Sequence, residues 1–168
     1  MAHAVVVMGV SGCGKSTIGA WVAERLGSEF VDGDDLHPEA NRAKMAAGVP
    51  LTDEDRWPWL DRVADTLARG LAGDDGVVVA CSALRLSYRD RLRGAGDGLR
   101  FIYLEVDQAT VEARLRVREG HFFPAALFAS QFATLEAPDP SVEPDVTVVP
   151  TLDPAAQVEL ALRALHSV

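Results

Sequence analysis

Two cysteines in 168 residues, Cys13 and Cys81, are too few for a disulfide framework. Both fall in segments that read as interior, so reduced thiols and a cytoplasmic location are expected. The single asparagine, Asn41, is followed by Arg-Ala-Lys. That removes the Asn-Lys-x-Asp guanine clamp a regulatory GTPase needs, and no Asp-x-x-Gly follows an apolar strand. Positive charge is also short. Sixteen bases against 25 acids leave a net charge of −9, which repels nucleic acid and anionic membrane surfaces at long range. A local cluster of arginines can still bind a small anion. Long hydrophobic runs are missing as well. The amino-terminal one, residues 4–8, breaks into glycines, far short of the ~20 apolar residues of a membrane span and without the basic start of a signal peptide. No internal repeat or low-complexity linker interrupts the chain, whose length suits one domain, 1–168.

What is present is an alternation of apolar runs and helical periodicities. The runs are 4–8, a short one before Asp32, 76–82, 99–106 and 144–150. They are continuous rather than alternating, as in strands buried on both faces of a parallel sheet. A helix is expected over Lys15 to Leu26. In 57–71 the positions Leu60, Val63, Ala64, Leu67, Ala68 and Leu71 keep helical spacing, with Pro58 suited to start that helix. Asp107 is placed to cap a helix through Leu115 that stops at Gly120, and Asp153-Pro154 to open the last one. The expected fold is α/β, a three-layer α/β/α domain on a five-stranded parallel sheet, with ligands at the carboxyl ends of the strands.

Gly9-Val10-Ser11-Gly12-Cys13-Gly14-Lys15-Ser16 matches G-x-x-x-x-G-K-[ST] in full, between a strand and a helix. Glycines let backbone N–H groups turn inward around phosphates, and the helix N-terminus, extending through Thr17, adds positive potential. Lys15 can reach the β and γ phosphates, and the Ser16 hydroxyl is a Mg²⁺ ligand. The loop therefore calls for a nucleoside triphosphate and leaves the acceptor open. An ATPase motor is disfavoured, because the strand 77–81 ends in Cys81-Ser82 without an acid. A small kinase needs only the loop, an acceptor pocket and a lid. A non-enzymatic nucleotide-binding module is the rival of a different class.

Acceptor chemistry is carried by "VDGDDLHP". Asp32 would hold Mg²⁺ through water, and Asp34 would take the proton of an acceptor hydroxyl. Arg56 is either a surface ion pair or the forked donor for an acceptor carboxylate. Ser82, at the end of the 77–81 strand, and Arg85 just beyond it face the pocket edge; Ser82 is also placed to cap a helix over 84–93, alone or in addition. His37, before Pro38, is a turn histidine unless it contacts the acceptor. Further on, Arg114 and Arg118 share one helix face before Gly120, where cations can stabilise a transferred phosphoryl group and a closing segment excludes water. Arg116 reads as solvated, Phe122, Phe123, Phe128 and Phe132 as packing, and His121 is left open.

Taken together, "MGVSGCGKS", "DGDDLHP" with Asn41, "KMAAGVPLTDEDRWPWL", "CSALRLSYRDRLR", "FIYLE", "REGHFF" and "QFATLE" resemble the gluconate kinases, P-loop small-molecule kinases related to shikimate and adenylate kinases. The resemblance spans nearly the whole chain. It implies ATP and Mg²⁺, with D-gluconate phosphorylated at its primary hydroxyl to 6-phospho-D-gluconate; another acceptor such as shikimate or a different sugar acid is the alternative. It also implies an acceptor-binding segment at about 35–70 and a lid at about 118–136. Asp34 would activate the hydroxyl and Arg56 would hold the carboxylate. Relatives of this kind are often dimers. Cys13 stands where serine or alanine is expected; only its backbone N–H is needed, with some thiol sensitivity as the consequence.

Overall fold

The computed structural model describes residues 2–117 and 125–167; the side chains of 115–117 and 125–128 lie outside the description. Five strands, β1 (Ala4–Met8), β2 (Glu29–Asp32), β3 (Val77–Ala80), β4 (Leu99–Leu104) and β5 (Val146–Val149), form one parallel sheet in the order β2-β3-β1-β4-β5. β1 lies at the centre, with Val5 opposite Val78 on one side and Arg100 on the other.

Strand side chains alternate between faces, and the core divides accordingly. Val5, Val7, Val78, Ile102 and Leu104 pack under α1 (Lys15–Leu26) and α7 (Pro154–His166). Ala4, Val6, Met8, Val77, Val79, Phe101 and Tyr103 pack under α3 (Asp53–Ala72) and α4 (Leu86–Arg93). The three-layer expectation holds, and the unbroken apolar runs are explained by burial on both faces.

Three helix starts differ from the sequence reading or refine it. α3 begins at Asp53 rather than near Pro58. Thr52 accepts from the Asp55 N–H while the Asp55 carboxylate accepts from the Thr52 N–H, a capping box with three acids in the first turn. Those contacts outweigh the one hydrogen bond lost at Pro58, which sits inside the helix. α4 begins at Leu86, and Ser82 does not cap it. The Leu86 N–H is taken instead by Glu136 Oε1 at 3.0 Å, a partner 50 residues away. α7 starts at Pro154 as expected, but the Asp153 side chain makes no cap bond.

Two helices had no sequence expectation: α2 (Glu39–Ala46) and α6 (Ala125–Thr134). The helix α5 (Gln108–Val117) is capped by Asp107, whose Oδ1 accepts from the Thr110 N–H at 2.7 Å. Arg118, Gly120, His121, Phe122 and Phe123 lie outside the described residues, as do the side chains of Arg116 and Phe128. No described helix is long and apolar enough to cross a membrane.

Candidate active site

β1 and β3 are neighbours, and the loops leaving their carboxyl ends are stitched by a bond from the Gly9 N–H to the Ser82 carbonyl, 3.3 Å. The first of these loops, Gly9 to Gly14, depends on positive φ at Gly9, Gly12 and Gly14, which L side chains rarely adopt. Lys15 Nζ donates to the Val10 carbonyl across the loop at 3.1 Å. Cys13 turns its side chain into the apolar core under α1, so only its backbone serves the loop and its thiol is shielded.

β2 brings the acids to the same edge. Ser16 Oγ donates to Asp32 Oδ2 at 3.0 Å, and Asp32 Oδ1 accepts from the Asp34 N–H at 3.0 Å, starting a 3-10 turn over Gly33–Leu36. A Cβ at Gly33 would collide with the Ala80 carbonyl, so glycine is required for this turn to sit against β3. Among the described residues no three His, Cys, Asp or Glu side chains form a metal-holding group. The Ser16–Asp32 oxygen pair is instead a fit for Mg²⁺, which keeps several waters and takes few protein ligands.

Two cavities meet here. One is lined by the loop with Ser16, Thr17, Asp32 and Asp34. The other is lined by Asp34, His37, Arg56, Trp59, Ser82, Leu84 and Gln131, among others. Ser11, Lys15 and Asp34 line both. A larger cavity of about 670 Å³ lies at the opposite edge, beside Gly27–Glu29 and Gly73–Val77. It does not touch the phosphate loop, so chemistry rather than size locates the site.

Electrostatics separate the roles of the lining groups. Burial pushes the Asp34 carboxyl above its ordinary range; Lys15 opposes this, while Asp32 and Asp35 reinforce it. Asp34 is thus a carboxylate with raised basicity beside a cation, as a general base requires. His37 is pushed the other way, to about 4, by burial and then by Arg42 and Arg56. Its ring stacks on Trp59 at 4.1 Å and 16°, and Trp59 Nε1 donates to the Gly33 carbonyl at 2.8 Å.

Arg56 is mostly buried and donates through one terminal nitrogen to the Tyr88 hydroxyl at 2.9 Å. Tyr88 in turn donates to Asp53; burial first, then that bond, push the phenol up to about 12. The rest of the Arg56 fork makes no hydrogen bond to a described residue and borders the cavity. Arg85 does not line the cavity: it sits 3.8 Å from Asp53 Oδ2 and is half exposed. Ser82 does line it, held by the turn at Ala83, a non-glycine residue at φ 45°.

On the nucleotide side Arg114 donates to the Gly12 carbonyl at 2.9 Å. Gln131 of α6 accepts from the Ser11 N–H at 2.6 Å. Sequence reading missed Gln131, Trp59 and Tyr88. Only Trp59 carried a local signal, three residues beyond Arg56 on one helix face.

The shikimate kinase family model matches residues 11–126. A gluconokinase of Gluconobacter oxydans is 45% identical over 95% of this chain and 89% of its own. The thermoresistant gluconokinase of Escherichia coli is 46% identical over 88% and 83%. The crystal structure of a gluconokinase from Sinorhizobium meliloti superposes with a TM-score of 0.87 at 44% identity, covering 98% of this chain and 91% of that one. A shikimate kinase structure from Bacteroides thetaiotaomicron, at 15% identity and a TM-score of 0.65, shares the fold.

Proposed function

The chain belongs to the shikimate kinase family and stands with its gluconokinase relatives, and from that premise we propose that it transfers the γ-phosphoryl group of ATP to the primary hydroxyl of D-gluconate. The products are ADP and 6-phospho-D-gluconate. The observation that carries this reading is the pair of abutting cavities that share Ser11, Lys15 and Asp34. One has the chemistry of a phosphate cradle, and the other has a base at one end and an unfilled guanidinium fork elsewhere on its wall.

In this reading Asp34 accepts the proton of the acceptor hydroxyl as that oxygen forms its bond to phosphorus. The bond from phosphorus to the departing ADP oxygen breaks, and its electrons leave with ADP. Lys15 leaves the Val10 carbonyl for the phosphate oxygens and stabilises the charge that spreads over them. The loop N–H groups from Gly9 to Thr17 hold the phosphates, with Arg114 and Arg118 as flanking cations. Ser16 would hold Mg²⁺, with Asp32 helping through water, and the ion would neutralise phosphate charge. Arg56 takes the gluconate carboxylate, Ser82 and His37 take hydroxyls, and His121 completes the acceptor side, while Arg85 stays with Asp53 outside the cavity. The segment 35–70 forms the acceptor wall, and about 118–136 forms the lid.

The test is ADP release, coupled to a spectroscopic readout, over a panel of gluconate, shikimate and other sugar acids. Gluconate is expected to exceed the rest by orders of magnitude in kcat/KM. A preference for shikimate moves the chain to another acceptor, and no turnover with any acceptor leaves a nucleotide-binding module.

A further inference from the structure

Asn41, the one asparagine of the chain, is 3% exposed, and the His37 beside it 6%. The Asn41 side-chain Nδ2 lies 2.9 Å from the Asp55 carbonyl and 3.1 Å from His37 Nδ1. A carbonyl oxygen only accepts, so the amide end facing Asp55 has to be the NH₂ group. Its second hydrogen then points at His37 Nδ1, which must carry a lone pair there. The ring proton is therefore on Nε2. That nitrogen has no hydrogen bond to a described residue, and no buried side-chain nitrogen or oxygen among them lacks a partner. Among the described residues Nε2 is accordingly open, and His37 borders the acceptor cavity. The ring cannot swing away, because it is stacked on Trp59 and its backbone closes the 3-10 turn through a bond to the Asp34 carbonyl.

We propose that Asn41 is a positioning residue that locks His37 in its Nε2–H tautomer, making His37 a donor-only contact for a hydroxyl oxygen of the acceptor. The proposal rests on the sugar-acid reading above. Its consequence is selective: a hydroxyl oxygen accepts from such a donor, whereas an ammonium or an alkyl group at the same place leaves the donor unpaired. Among the described residues the charged groups around the ring are Arg42 on α2, Arg56 on α3, Asp34 on the preceding turn and Lys15 at the start of α1, with the Lys44–Asp55 pair behind Asn41. Depression of the ring's basicity by burial and the two arginines keeps it neutral across the working range.

The first test needs no substrate. Nitrogen-15 NMR of His37 in the full chain is expected to show the neutral Nε2–H pattern, unchanged from pH 8 to pH 6. A proton on Nδ1 overturns the proposal. The second test is kinetic. His37→Phe keeps the stack on Trp59 and loses the donor, and it should raise KM for gluconate about tenfold with KM for ATP unchanged. His37→Gln, which can present an amide donor near the same place, should recover part of the loss. Asn41→Asp presents a carboxylate to Nδ1, so the ring should hold a proton there and KM for gluconate should acquire a pH dependence between pH 6 and 8 that the parent lacks. If Asn41→Asp folds and keeps the parent's pH profile, the lock is refuted. Should it not fold, the NMR result still decides. If the parent phosphorylates no gluconate, the functional reading fails while the tautomer measurement stands on its own.

Discussion

Replacing Glu143 with alanine should cost far more than its single charge suggests. Arg89 is 1% exposed and Glu143 6%. The guanidinium grips the carboxylate with two bonds, Nε to Oε1 at 2.7 Å and a terminal nitrogen to Oε2 at 2.8 Å. Arg93 adds a third at 2.8 Å. Breaking a buried pair by removing one partner strands the other and costs about 3–5 kcal/mol. A surface pair such as Arg25–Glu159, with side chains 55% and 51% exposed, contributes under about 1 kcal/mol. Urea unfolding of Glu143→Ala and Glu159→Ala should therefore differ by at least about 2 kcal/mol, the difference of those two figures. A domain with ordinary stability of about 5–15 kcal/mol would be visibly weakened by the first and indifferent to the second. The gap should also depend on pH. Burial pushes the Glu143 carboxyl up, but the bonds from Arg89 and Arg93 outweigh it, and the net shift is downward. A depressed carboxyl stabilises the fold above its unfolded value and loses that contribution as pH falls through the folded one. The difference between parent and Glu143→Gln should thus be full at neutral pH and shrink in acid below the ordinary glutamate range. Equal midpoints for the two alanine variants, with equal slopes, would refute the reasoning.

Lys15→Ala should nearly abolish turnover while leaving the unfolding free energy within about 0.5 kcal/mol of the parent, since its ammonium hydrogen-bonds only a loop carbonyl among the described residues. Substantial residual turnover would remove it from the phosphate site. Asp34→Ala should lower kcat about a hundredfold or more; a near-normal rate excludes it as the base. Arg56→Ala should raise KM for gluconate about tenfold to a hundredfold, the range of a hydrogen bond to a charged group. A rise in KM for ATP instead would reassign the residue.

The strands were legible because burial on both faces leaves nothing but apolar residues, as in Val77–Ala80 and residues 101–104. The phosphate loop was legible because its glycines and Lys15 are fixed by backbone geometry within eight residues. The start of α3 was misread because Pro58 resembles a first-turn proline, while the deciding contact is the reciprocal one between Thr52 and Asp55. The cap of α4 was not available to any local reading, since Glu136 arrives from across the fold. Asn41 stood four residues from His37, a spacing that puts two side chains in reach, yet its role depends on the Asp55 carbonyl beyond. Asp34 and Arg56 could be chosen by type, but not their surroundings: the burial that raises one and the Tyr88 hydroxyl that braces the other come only with the folded chain.

Helix α6 takes the Ser11 amide through Gln131, and the chain just past its end bonds both Leu84 and Leu86 through Glu136. A triphosphate that claimed the Ser11 amide would have to evict Gln131, and Gln131 also borders the cavity proposed for the acceptor. Occupancy of either half should therefore be felt by the other, and thermodynamic linkage then requires the two to alter each other's affinity by one common factor. Calorimetric titration of gluconate with and without a non-hydrolysable ATP analogue reads that factor directly.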